Sequence, residues 1–345
     1  MERLPRYRTG DKKIDREIAE VVDHVATGND DLVFELLAAA VRLARDDADR
    51  GDLKVASAAL KELRYAFSVF TPYRSQRKVA IFGSARTQPD DPLYDQARRL
   101  AAALAAKEWM VITGAGPGIM EAGIEGAGPD QSFGVSIRLP FEATTSQFLA
   151  DDPKLVNFRY FFTRKVEFVK ESDGFVLLPG GFGTLDEAFE LLTLIQTGKA
   201  PAAPIVLLDV PGGTYWQSWR QFVESELADR GYIEKDDLGL MRVTDDVADA
   251  VDEIIGFYAN YHSQRYVEGQ LVLRMQRAPD DAALAALNDE FADIVVRGAI
   301  EQIDVTQPER AGDDHVDLDR IAFRFDRRSH ARLRSLIDRL NDRRP

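Results

Sequence analysis

Gly174-Phe-Val-Leu-Leu-Pro179-Gly180-Gly181-Phe182-Gly183-Thr184-Leu185-Asp186-Glu187 is the stretch on which the reading of this chain turns. Its first five residues carry no charge and read as a strand buried on both faces. A glycine-rich turn follows and opens a helical pattern near 184–198. Glycine lets the backbone turn tightly and approach a ligand closely. The start of a helix offers unpaired N–H groups and a partial positive charge. The same arrangement occurs upstream, where Val111-Ile112 leads into Thr113-Gly114-Ala-Gly116-Pro-Gly118-Ile-Met120-Glu. One such loop is often only a tight structural turn. Two of them, each following a strand and opening a helix, point to a held phosphate.

Working outward, Val79-Ala-Ile-Phe82, Trp109–Ile112, Phe133–Ile137 and Pro204–Leu208 are further short apolar runs. Helical patterns lie between them, near 93–107, 118–127, 158–172 and 214–230. This alternation predicts an α/β fold, a Rossmann-like doubly wound parallel sheet whose ligands bind beyond the C-terminal strand ends. We place it at 77–262, after a helical N-terminal extension over 1–76. Residues 263–345 read as a small α+β, ferredoxin-like module of order β-α-β-β-α. Its strands are expected at 266–275, 299–305 and 321–325 and its helices at 281–294 and 329–340, with 308–319 an exposed acidic loop.

Composition narrows the function. The 345 residues carry a formal net charge of −14, which argues against a wide nucleic-acid surface but not against one small phosphate ligand. There is no cysteine, so thiolate chemistry, disulfides and cysteine-based metal centres are excluded. The four histidines, His24, His262, His315 and His330, do not pair at metal-ligand spacing, and no metal or cofactor is expected. A charged N-terminus without an apolar h-region, and the lack of a long apolar run, lead us to expect a cytoplasmic protein with no membrane partner.

Neither loop is a standard cofactor motif. Ile119 stands where a dinucleotide fingerprint needs its third glycine, and neither loop ends in the lysine and hydroxyl of a P-loop. Gly-x-Ser-x-Gly is also absent.

Pro179 to Glu187 matches the Pro-Gly-Gly-x-Gly-Thr-x-x-Glu signature, and Arg164-Lys165 matches an Arg-Lys pair on the preceding helix. With Gly83-Ser84 and the loop from Gly114 to Met120, the region 77–260 resembles the LONELY GUY family. Its members are cytokinin-activating phosphoribohydrolases, and their relatives long carried a lysine decarboxylase label. The resemblance implies hydrolysis of the N-glycosidic bond of a nucleoside 5′-monophosphate, without a metal. It also implies that Arg164 and Glu187 carry the chemistry and that Gly180, Gly181, Phe182, Gly183, Thr184, Leu185 and Asp186 cradle phosphate and ribose. Lys165, Glu142 and Thr193 would support the substrate, as would Gly83, Ser84, Gly114, Gly116, Gly118 and Met120. The first loop and the long additions at both ends look more like a longer bacterial branch acting on ordinary nucleotides. The family's habit of pairing suggests a homodimer or a larger even assembly.

The same residues carry plainer readings. Over 158–170, Phe158, Phe161, Phe162, Val166, Phe168 and Val169 share one helical face, with Lys165 near its centre and Arg164 at its edge. Arg164 alone could be solvated. Lys165 within an apolar stripe needs a partner, a route to solvent or an anionic ligand. Thr184-x-x-Glu187 also fits a capping box, in which Glu187 only satisfies backbone donors. Asp186 lies about 100° away around the helix, so one of the two acids should face the cleft, and we choose Glu187. Two alternatives stand beside a hydrolase: a nucleotide sensor reporting through the C-terminal module, and a pyridoxal-phosphate decarboxylase resting on the old label alone.

Overall fold

Seven parallel strands form the central sheet: β1 (Lys78–Phe82), β2 (Met110–Thr113), β3 (Ser132–Ile137), β4 (Leu155–Phe158), β5 (Gly174–Leu177), β6 (Ile205–Leu208) and β7 (Arg242–Thr244). Their spatial order is β4-β3-β2-β1-β5-β6-β7. From β1 the chain winds outward to β4, then returns to pair β5 with the other side of β1. The computed structural model describes residues 5–25, 28–138 and 152–342.

Alternate residues of each strand enter opposite cores, as a period of two requires. Ala80 and Phe82 pack with α6 (Phe161–Glu171), α7 (Phe182–Gln196) and α8 (Tyr215–Phe222). Val79 and Ile81 pack with α4 (Pro92–Ala105), α5 (Ile119–Ala127) and α9 (Val247–Gly256). Both faces are thus covered, and the central strands are buried along their length.

The two strands of the central sheet that the sequence reading missed are β4 and β7. Residues 155–158 alternate, with Val156 and Phe158 buried and Asn157 outward, so Phe158 ends a strand rather than beginning a helix. The helix expected from 158 begins at Phe161. The polar Asn157 interrupts the apolar run that would have marked β4. β7 is a three-residue edge strand with one aliphatic residue, too short for a hydrophobic signal.

The chain divides into two units, Met1–Arg64 and Tyr65–Pro345. In the first, α1 (Lys12–Val25) and α2 (Asp30–Arg45) bury Ile18, Val22, Phe34 and Ala38 between them. The helix α3 (Arg50–Phe70) crosses the division, and its Ala66 and Phe70 belong to the sheet's core.

The C-terminal module holds an antiparallel sheet of β8 (Tyr261–Val267), β9 (Gln270–Met275), β10 (Val295–Gln302) and β11 (Asp319–Phe325), ordered β10-β11-β9-β8. It is backed by α10 (Asp281–Glu290) and α12 (His330–Asn341). The single strand expected over 266–275 is in fact the turn and second strand of a hairpin. Glu268 and Gly269, with φ of 51° and 84°, make its two-residue turn. This adds a strand at the front of the expected β-α-β-β-α order.

Residues 308–319 are not a free loop. Helix α11 (Gln307–Gly312) carries Glu309, which is fully buried. Its carboxylate accepts from Arg274 Nε at 2.7 Å and Arg320 Nε at 3.1 Å, and from the Thr306 hydroxyl at 2.6 Å. Burial alone would raise its pKa, but these hydrogen bonds override it and hold the carboxyl at about 2.

Glu309→Gln would leave the buried Arg320 without its carboxylate and Arg274 with Asp314 alone, and we expect a loss of about 3–5 kcal/mol in chemical denaturation at pH 7. Because the folded pKa lies below the ordinary value of 4.5, the contribution is present above pH 4.5 and lost as pH falls towards 2. The gap between variant and parent should therefore narrow on acidification.

Candidate active site

The loops after β1, β2 and β5 meet where the strand order reverses, which is where open α/β sheets bind ligands. Backbone hydrogen bonds hold them together: Ser84 N donates to the Pro179 carbonyl at 3.2 Å, and Ile119 N to the Ser84 carbonyl at 3.1 Å. Gly118 caps α5 with φ of 69°, and a Cβ there would sit 2.4 Å from the Ser84 carbonyl oxygen. Its role is this close approach, for it does not line the cavity. Ile119 packs onto Gly83, where a Cβ would lie 2.6 Å from it. That contact occupies the space which a third glycine would have left.

A cavity of about 1160 Å³ opens beyond these loops. Gly83, Ser84, Gly114, Gly116 and Met120 line one side, and Gly180 to Glu187 line the other. The Tyr215 hydroxyl donates to the Gly180 carbonyl at 2.7 Å and fixes the start of the second loop. Gly180 itself has no room for a side chain, since a Cβ would meet Thr184 Oγ1 at 2.2 Å. Gly181 and Gly183 would meet nothing within 4 Å. Space is therefore left open before the N-terminus of α7, a fifteen-residue helix whose N-cap Gly181 supplies no side-chain cap. That is the geometry of an anion site.

Arg164 reaches the cavity from α6, and its Nε donates to the Val135 carbonyl at 2.8 Å. Its guanidinium lies 5.2 Å from the centre of the Phe168 ring. Its terminal nitrogens have no hydrogen-bond partner among the described residues, so a ligand can take them. Burial lowers its pKa, and the Glu187 carboxylate opposes that shift.

Glu187 is 7% exposed and accepts no hydrogen bond among the described residues. The capping box is not formed: α7 starts at Phe182, so Thr184 is already inside the helix. Burial pushes the Glu187 carboxyl up to about 7, against the pull of the Lys165 and Arg164 cations. A carboxylate poised near neutrality beside an arginine with free donors can accept a proton and stabilise positive charge.

Lys165 does not line this cavity. Its Nζ pairs with Asp186 at 2.7 Å and Glu190 at 2.9 Å. Burial would depress its pKa, but these two partners outweigh it and the net shift is upward. Asp186 stands at the rim, turned to Lys165. Thr193 is exposed further along α7 and lies outside the lining, and Glu142 falls outside the described residues.

Sequence reasoning missed Arg86, Arg138, Asn157 and Phe161, which also line the cavity. Arg86 follows Gly83-Ser84 by two residues and was within reach of that motif. Asn157 and Phe161 were hidden by the misplaced helix start.

Gly114 ties the first loop to Arg164: a Cβ there would lie 2.3 Å from Nη2 and 2.6 Å from Met120 Sδ. Both are ends of flexible side chains. Gly114→Ala should leave the melting temperature near that of the parent and reduce turnover by about tenfold or more, by displacing the guanidinium. Gly118→Ala, which meets backbone, should lower the melting temperature instead.

The family model described as "Possible lysine decarboxylase" matches residues 115–254. A cytokinin riboside 5′-monophosphate phosphoribohydrolase of Mycobacterium marinum is 30% identical over 176 residues, half of this chain and 90% of that protein. The Arabidopsis thaliana enzyme of the same name, LOG1, is 41% identical over 70 residues, 20% of this chain and 31% of its own length. With the plant relatives, then, the alignment spans under a third of their length. Among solved structures, the molybdenum cofactor binding protein of Rippkaea orientalis is 17% identical with a TM-score of 0.37, covering 51% of this chain and 94% of that one. Over its sheet domain, with the two glycine loops, the Arg-Lys pair and the buried glutamate in place, the chain belongs to the LONELY GUY family of cytokinin riboside 5′-monophosphate phosphoribohydrolases.

Proposed function

We propose that the cavity hydrolyses the N-glycosidic bond of a nucleoside 5′-monophosphate, with AMP the first candidate. The observation that carries this reading is the presence of Glu187, buried and with no hydrogen-bond partner among the described residues, in one cavity with Arg164 beside the glycine turn that opens α7. The 5′-phosphate docks on the N–H groups of Gly181 to Thr184, with Arg86 and Arg138 supplying charge. The base lies among Phe161 and Phe182, which are 51% and 94% exposed and bring rings to the rim. Phosphate and base anchored at two ends hold the ribosyl carbon near Glu187.

As the bond between C1′ and the base nitrogen breaks, its electron pair leaves with the base. The ribosyl centre becomes oxocarbenium-like, and the Glu187 carboxylate offsets that charge. Water adds to C1′, its proton passes to Glu187 and from there to the departing base nitrogen, giving ribose 5-phosphate and the free base and restoring the carboxylate. Arg164 Nη groups hold the ribose or the departing base. All the chemistry in this scheme is supplied by the chain's own side chains.

Glu187→Gln tests the assignment. Base release from AMP, followed by chromatography, should fall by roughly 10²-fold or more, while AMP still binds the loop. Because burial raises the folded pKa to about 7 from 4.5, ionised Glu187 costs stability as pH rises through that window. The variant should therefore melt no lower than the parent, and higher at pH 8. In the parent, turnover should climb with pH across about 7. Full turnover in the variant would return Glu187 to a structural role, and AMP binding without base release in the parent would favour the sensor.

We also propose a homodimer or larger even assembly. Val21, Val25, Leu32, Leu36, Leu53, Val55 and Leu60 of the N-terminal unit are each at least 40% exposed, more apolar surface than a monomeric unit of that size usually leaves in water. Light scattering at micromolar concentration should report at least twice the chain mass of 38.6 kDa.

A further inference from the structure

A second cavity, of about 750 Å³, lies where α6 and α7 meet the start of the C-terminal module. Its position is fixed by contacts at the N-terminal end of the sheet, away from the catalytic loops. Arg77 pairs with Asp173 at 2.6 Å, stacks 3.8 Å from the centre of the Tyr258 ring and donates to the His262 carbonyl at 3.1 Å. The Tyr258 hydroxyl donates to the Asp173 carbonyl at 2.7 Å. One end of the space is thus built from fixed contacts while the other opens to solvent, and its size suits a small organic molecule.

Its lining combines three features. Val166, Val169, Leu194 and the Ala200–Ala203 segment make an apolar wall. Four cations, Arg77, Lys165, Lys170 and Lys199, face two carboxylates, Asp173 and Glu190, in a chain whose net charge is −14. His262 adds no charge near neutrality, since burial and the neighbouring Arg77 lower its pKa to about 4. Arg77 and Lys165 are already paired, and Lys170 pairs with Glu171. The Lys199 side chain has no partner among the described residues. Ser172 also lines the cavity, and its hydroxyl, shielded from solvent, has no hydrogen-bond partner among the described residues. A buried donor left unmet costs free energy that a ligand would recover.

We propose that this cavity is a second ligand site, for a small organic anion with an apolar, ring-sized body, and that its occupancy is linked to the catalytic cavity through Lys165. The anionic group lies between Lys199 and Lys170, with the Ser172 hydroxyl turning out to donate to it, while the body rests on the wall of Val166, Val169 and Leu194. Lys165 belongs to this lining, yet its Nζ holds Asp186, which lines the catalytic cavity. Arg164 precedes Lys165 on α6 and Glu187 follows Asp186 on α7, so an anion in the cavity that draws on Lys165 shifts the support of both. The linkage rests on the catalytic reading only in using ribose 5-phosphate as reporter. The binding site does not rest on it.

Calorimetry on the full chain tests this with three probes: naphthoate, naphthyl phosphate and uncharged naphthol. We expect one equivalent of an anionic probe per chain, about tenfold tighter than naphthol, and the two anions tell a carboxylate site from a phosphate site. Lys199→Glu and Ala200→Trp, which reverse the free charge and fill the space, should each weaken naphthoate by about tenfold or more. Both should bind ribose 5-phosphate as the parent does. Saturating ribose 5-phosphate should change the naphthoate Kd by a few-fold without abolishing binding, because linkage is reciprocal. Equal affinity for naphthol, or unchanged binding in both variants, overturns the site. Strict competition by ribose 5-phosphate would place the probe in the catalytic cavity and overturn it too. An unchanged Kd would remove the linkage.

Discussion

The return of the chain from β4 to β5, across the face of β1, is the constraint on which the rest depends. It puts two strands that are nearly a hundred residues apart in sequence side by side, each ending in a glycine turn. A third turn arrives from β2 on the other side. Backbone hydrogen bonds between Ser84, Pro179 and Ile119 then lock the three turns into one surface. Glycines at 83, 118 and 180 are demanded by that locking, because each lies against another loop's atoms. Those at 181 and 183 are not, and the room they leave is room for a ligand.

Onto that surface the fold brings charges at the expense of stability. Arg164 and Glu187 are both taken out of water, and burial acts against the charged form of each. A chain selected only for stability would pair them tightly or replace them. Here the guanidinium is held by one carbonyl, and the carboxylate accepts no hydrogen bond among the described residues. Groups that are costly in the empty protein become favourable when a substrate meets them, which is the thermodynamic mark of a preorganised site. Glu167, on the same helix as Arg164, is also fully buried with both oxygens unpartnered, and nothing in the structure explains it.

How much of this was legible in the sequence follows from the range of the forces involved. The glycine turns and the buried central strands are local features, and their composition announces them. The place of Arg164 and Glu187 at the cavity was legible from their motifs, because a glycine turn fixes its own neighbours along the helix. β4 was not, since one asparagine broke its apolar run and its alternation only makes sense against β3. Nor was the role of Glu309, which sits in an acidic stretch that reads as solvent-exposed. Its partners, Arg274 and Arg320, come from two different strands of the module. Lys165 falls between these cases. Its place within an apolar stripe called for a partner, but which partner required knowing that α7 lies beside α6.

The pairing of those two helices also explains why adjacent residues have different fates. A step of one residue turns a helix by about 100°. Arg164 and Lys165 therefore cannot face the same way, and neither can Asp186 and Glu187. One member of each pair, Arg164 and Glu187, points to the cavity and is left without strong partners. The other two, Lys165 and Asp186, meet each other and bind α6 to α7. The ion pair ties the two helices together beside groups that are left unpaired, and it does so with residues one position away. The Arg-Lys and Asp-Glu dipeptides are thus a single device, in which helical rotation separates the groups that tie the helices together from those turned to the cavity.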